Sequence, residues 1–99
     1  AVSGSGPAYV FYFMQAMING AMSLGFSLSE AEFLVSQTFA GSVQLQNRSK
    51  LSNLEWIEKV ASKGGTTEAA LAVFSQNMLH DSIIKGIEAA NNRAVGLGK

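Results

Sequence analysis

The hydropathy pattern is dominated by one apolar run near the start of the chain. From Ala8 to Met22, twelve of fifteen residues are apolar, interrupted by Gln15, Asn19 and Gly20. Ser5-Gly6-Pro7 stands just before it. Ser5 or Gly6 can cap a helix there, and Pro7 suits the first helical position, where no N–H is needed. Gly25 is a natural left-handed stop. A helix this apolar is one buried on most sides, including against another subunit. A membrane span wants roughly 20 predominantly apolar residues, and this run is shorter and broken.

Four more helices follow from the pattern. Ser29-Glu30-Ala31-Glu32 has the form of a capping box that opens the second. Ala31, Val35, Phe39 and Val43 recur every fourth residue on one stripe, and Ala40-Gly41-Ser42 is a small-residue patch that another backbone can approach. Asn47 to Lys50 is polar and reads as a loop. Ser52-Asn53-Leu54-Glu55 is a second capping box. Its short helix is expected to bury Leu54, Ile57, Val60 and Ala61 and to turn Glu55, Glu58 and Lys59 outward. Ser62-Lys63-Gly64-Gly65-Thr66-Thr67 breaks it, and a fourth helix starts at once with Thr66 as N-cap and Glu68 in the first turn. The last runs from about Leu79 to about Leu97, with Leu79, Ile83, Ile87, Ala90 and Ala94 on one face. No segment alternates long enough for a strand. The expectation is a single all-α domain over residues 1–99, built of five helices without internal repeats.

Composition narrows the function classes. Seven Lys+Arg balance seven Asp+Glu, 14% of residues are charged and 47% are apolar. That excludes a disordered chain and argues against nucleic-acid binding, which wants a basic stripe. The absence of cysteine excludes a disulfide scaffold and a thiolate metal site. The chain opens Ala1-Val2-Ser3-Gly4 with neither an initiator Met nor a basic leader. It reads as a domain cut from a longer cytoplasmic protein. So short and apolar a chain leaves greasy surface uncovered without a partner.

Little of the sequence carries obvious chemistry. Gly4-Ser5-Gly6 is no dinucleotide fingerprint, because Tyr9 occupies the third glycine position and neither a preceding strand nor a later acidic residue fits. His80, the only histidine, has no partner suited to a metal and reads as a solvated or capping residue. The glutamates are scattered, and nothing forms a triad. The Gly64-Gly65-Thr66-Thr67 corner is different. Paired glycines lead into a helix whose first N–H groups lack internal partners. Such a start favours a small anion, a carboxylate or a phosphate. Thr66, Thr67 and Ser62 add hydroxyls. A tight helix–helix corner with a threonine cap is the plainer reading of the same residues.

Taken together, Ser3-Gly4-Ser5-Gly6-Pro7-Ala8-Tyr9 and Ser62-Lys63-Gly64-Gly65-Thr66-Thr67, about sixty residues apart, resemble the C-terminal helical domain of pyrroline-5-carboxylate reductase. The resemblance covers essentially the whole chain, including Leu24-Gly25 and Ala40-Gly41. It implies an interlocked homodimer that can assemble further into a decamer, with a separate N-terminal Rossmann domain binding NADPH or NADH. It implies hydride transfer to a cyclic imino acid, giving L-proline. By the same resemblance, Ser62, Gly64, Gly65, Thr66 and Thr67 bind the substrate, its carboxylate above all. The Thr67 hydroxyl lies near the ring nitrogen as the catalytic position. Relatives often have Pro where this chain has Lys63, which faces water or adds attraction for an anion. Two other readings keep the helices: an oligomerisation domain of another Rossmann-type dehydrogenase, and a helical interaction module with no substrate.

Overall fold

The computed structural model describes residues 1–62 and 65–98. Among them are five α-helices and no strand: α1 (Gly6–Ser23), α2 (Leu28–Arg48), α3 (Asn53–Ala61), α4 (Gly65–Gln76) and α5 (Leu79–Gly96). They form two compact units, Gly6–Lys50 and Leu51–Lys99 together with Ala1–Ser5.

The first unit is a helical hairpin. Gly25 ends α1 with φ +107°, a conformation that a Cβ would strain. The Gly25 N–H donates to the Met22 carbonyl at 3.0 Å and the Phe26 N–H to the Ala21 carbonyl at 3.3 Å, which closes the helix end. α2 starts two residues earlier than its sequence suggests. The cap is Ser27 with Glu30, not Ser29 with Glu32. The Glu30 N–H donates to the Ser27 hydroxyl (3.2 Å) and the Ser27 N–H to Glu30 Oε1 (2.9 Å). Ser27 fits because its backbone is extended while its side chain still reaches the third amide. At the other end α2 runs through Arg48, so Asn47 and Arg48 belong to the helix rather than to a loop.

Ile18 of α1 meets Ala31 and Val35 of α2, with Met14, Ala21 and Phe39 packed around them. These three are the only buried hydrophobics among the described residues. Val43, the fourth member of the α2 stripe, is exposed because the packing ends at Phe39.

The second unit packs α3 on α4 and α4 on α5. The expected Ser52–Glu55 capping box is present, with the Glu55 N–H donating to the Ser52 hydroxyl at 3.1 Å and the Ser52 N–H to Glu55 Oε1 at 2.8 Å. Of the expected inward face of α3, only Ala61 is half-buried. Leu54 and Ile57 are 74% and 45% exposed and Val60 is exposed too, whereas Trp56 is half-buried. The large indole takes the place that the smaller aliphatic residues were expected to fill. On α5 the expected stripe holds: Leu79, Ile87, Ala90 and Ala94 are half-buried, with Ile83 at the margin. Between α4 and α5, Met78 adopts the left-handed conformation (φ 54°, ψ 41°) without capping α5 by a side-chain bond.

Two expected outcomes follow. Met78 is exposed, so Met78→Gly removes the left-handed strain at little loss of packing. It should stabilise the fold by about 1 kcal/mol in urea unfolding at fixed protein concentration. Backbone N–H groups of Ser27 and Ser52, helped by the serine side chains, hold the Glu30 and Glu55 carboxyls below the ordinary carboxylate range. A pKa lowered by folding gives stability that is complete above the unfolded carboxylate range and is lost as pH falls through the lowered value. The double variant Glu30→Gln/Glu55→Gln should therefore lose less stability on acidification than the parent; parallel acid limbs in the two urea series would contradict this.

Candidate functional site

The corner between α3 and α4 gathers most of the expected site residues. Lys63 and Gly64 lie outside the described residues. Ser62 is the C-cap of α3, where its N–H donates to the carbonyls of Glu58 and Val60. Its hydroxyl donates to the Lys59 carbonyl at 3.0 Å. Ser62 is thus tied to its own helix, and its hydroxyl offers an anion no proton unless it releases that carbonyl.

α4 begins at Gly65 rather than after Thr66. Thr66 is therefore not the N-cap. Gly65, Thr66 and Thr67 occupy the first turn, and their N–H groups are among those without partners inside the helix. The residue ahead of the helix is Gly64, which has no side chain to cap with. A Cβ at Gly65 would meet nothing within 4 Å among the described residues. The two threonines differ. Thr66 is exposed, while Thr67 is half-buried in line with Leu71 one turn on, the other half-buried residue of α4. No hydrogen bond from either hydroxyl joins another described residue. The arrangement offers a small anion backbone donors and one half-buried hydroxyl without a partner among the described residues.

Elsewhere the expectations of absent chemistry can be placed. His80 is exposed on the first turn of α5, with Nδ1 3.7 Å from Asp81 Oδ1. No group of three potential metal ligands is found among the described residues. Gly4-Ser5 forms a turn that runs directly into α1, with Tyr9 on that helix and no strand ahead of it. No helix among the described residues is long and apolar enough to cross a membrane.

The second functional feature is a surface. α1 exposes Phe11 (67%), Tyr12 (75%), Val10, Met17 and Met22, and α3 exposes Leu54, Ile57 and Val60. A large apolar side chain left wholly in water forgoes roughly 1.5–3 kcal/mol of burial, and each of these forgoes part of that.

Residues 1–97 match the family described as pyrroline-5-carboxylate reductase dimerisation. The chain belongs to that family. It is 39% identical over its whole length to the pyrroline-5-carboxylate reductase of Pseudomonas aeruginosa, covering 36% of that protein. It is 40% identical to the enzyme of the same name from Vibrio alginolyticus, covering all of this chain and 37% of that one. With pyrroline-5-carboxylate reductase 3 of Xenopus laevis it shares 35% identity over 99% of this chain and 36% of the relative. The chain thus spans a little over a third of the length of the relatives it matches.

Sequence reasoning had named the α3–α4 corner but passed over Trp56, whose ring lies under the Lys59 ammonium, 5.3 Å from ring centroid to Nζ. The signal available was an aromatic residue with a lysine three positions later on a short helix.

The exposed faces of α1 and α3 lead to a measurable expectation. The chain should sediment as a dimer or larger at micromolar concentration, and Phe11→Glu/Tyr12→Glu should shift it toward monomer. A monomeric parent chain would contradict this.

Proposed function

We propose that the chain is the self-associating, substrate-binding part of a pyrroline-5-carboxylate reductase, which reduces 1-pyrroline-5-carboxylate to L-proline. Family membership supports the reaction class. The observation that carries the site is the start of α4: Gly65, Thr66 and Thr67 present first-turn amides, with no capping side chain at position 64 and no hydroxyl partner among the described residues.

The substrate is a small ring with one carboxylate. The amides of the α4 first turn bind that carboxylate, helped by the positive end of the helix. Gly64 and Gly65 keep side chains out of its way, and Ser62 stands beside it at the end of α3. This fixes the ring's orientation. Reduction of the C=N bond places hydride on carbon and leaves electron density on nitrogen, which must gain a proton. The Thr67 hydroxyl, half-buried and free of protein partners among the described residues, hydrogen-bonds the ring nitrogen and orients it. As a weak acid it positions rather than protonates, so water or an already protonated imine supplies the proton.

A nicotinamide cofactor, NADPH or NADH, belongs to this reading. In this reading it is held mainly by an N-terminal dinucleotide-binding domain outside this chain. Residues 1–99 then act as one helical domain whose exposed apolar faces are covered by a second copy in an interlocked homodimer, with a decamer as the higher assembly. The cytoplasm is the matching compartment.

In the complete enzyme, Thr67→Ala should lower kcat/KM for the imino acid about tenfold, the worth of one hydrogen bond of ~1.4 kcal/mol, without dissociating the oligomer. Gly65→Ala should fold normally, since its added methyl meets open space among the described residues, yet weaken substrate binding by crowding the carboxylate. Wild-type kinetics in both variants would refute the site and favour a helical module without substrate.

A further inference from the structure

We propose that Trp56 is a positioning residue for the α3–α4 corner: its side chain seats α3 on α4 and so sets where Ser62 stands relative to the first turn of α4. This rests on the reading of that corner as the carboxylate site.

α3 is nine residues long. Trp56 and Ala61 are its only residues that are not exposed, and Ala61 contributes a single methyl. The apolar residues that the sequence would have used as anchors, Leu54, Ile57 and Val60, are all more exposed than the indole. The grip of α3 on α4 therefore falls to the indole. That grip is one of shape. The indole N–H is buried and finds no acceptor among the described residues, so its burial is unfavourable, and the rest of the ring must compensate. Nothing in the seat selects a tryptophan for its polar atom.

The chain of connection to the site is short. The Lys59 ammonium lies 5.3 Å from the centre of the Trp56 ring. The carbonyl of the same lysine accepts the Ser62 hydroxyl at 3.0 Å. The Ser62 N–H is held by Glu58 and Val60. Ser62 thus moves with α3 as one body, and α3 is fastened by Trp56. Small displacements of substrate-positioning groups reduce activity steeply even when the altered residue touches no substrate.

The test uses the complete enzyme, with Trp56→Phe, Trp56→Val and Trp56→Ala assayed on pyrroline-5-carboxylate. KM is determined separately for the imino acid and for the nicotinamide cofactor, and the oligomeric state is checked. Trp56→Ala is expected to raise the imino-acid KM on the order of tenfold while leaving the cofactor KM unchanged. Trp56→Phe, which keeps the ring and removes the unpaired N–H, is expected to restore the parent KM. An unchanged imino-acid KM in Trp56→Ala, an equal rise in both KM values, or a failure of Trp56→Phe to restore would each overturn the proposal. Should Trp56→Ala not fold, Trp56→Val gives the same reading by the same criteria. Thr67→Ala, run alongside, separates the two ideas. If it impairs the enzyme while the Trp56 variants do not, only the positioning role falls; if it too is silent, the carboxylate site falls.

Discussion

A single copy of this chain has too little interior for its own apolar side chains, and the rest of the structure depends on that shortage. Nearly half of its residues are apolar, yet only Ile18, Ala31 and Val35 are buried hydrophobics among the described residues. The α1–α2 hairpin buries one narrow stripe and leaves aromatic and methionine side chains on its other sides. Among the described residues, the second unit buries nothing completely and relies on half-covered contacts along α3, α4 and α5. Such a surface is what membership of a dimerisation family would require.

The same economy explains the candidate site. Helix starts usually satisfy their own first amides, and α2 and α3 do so with Ser27–Glu30 and Ser52–Glu55. α4 has no such device, because glycine precedes it. Its first turn is left with donors and with two threonine hydroxyls. Leu71 turns inward and carries Thr67, one turn earlier, onto the same partly shielded face, while Thr66 stays in water. Identity of residue type therefore says less than helical phase: two adjacent threonines are placed in different environments by a rotation of about 100° per residue.

How much was legible in the sequence can be judged residue by residue. Gly25 as a left-handed stop, the Ser52–Glu55 box and the α5 stripe are local matters, and each came out as the pattern indicated. The α2 cap was displaced by two residues because Ser27 and Ser29 both offer a hydroxyl ahead of a glutamate three positions on, and only the backbone conformation chooses between them. Thr66 is not the cap for a similar reason: the helix extends two residues further back, onto Gly65. On α3, Ala61 is half-buried as expected, but Leu54, Ile57 and Val60 are exposed, because one tryptophan outweighs them in area.

The sequence by itself determined the helices, most of their ends, the glycine-led corner and the excess of apolar surface. These follow from backbone preference, side-chain capping and composition, all of which act within a few residues. Only the tertiary structure decided which side of α3 faces α4, that Ser62 spends its hydroxyl on Lys59, that Met78 turns left-handed between two helices, and that Thr67 rather than Thr66 is sheltered. Those outcomes depend on how helices rotate to bury their largest side chains against one another, and that competition is settled between segments rather than within them.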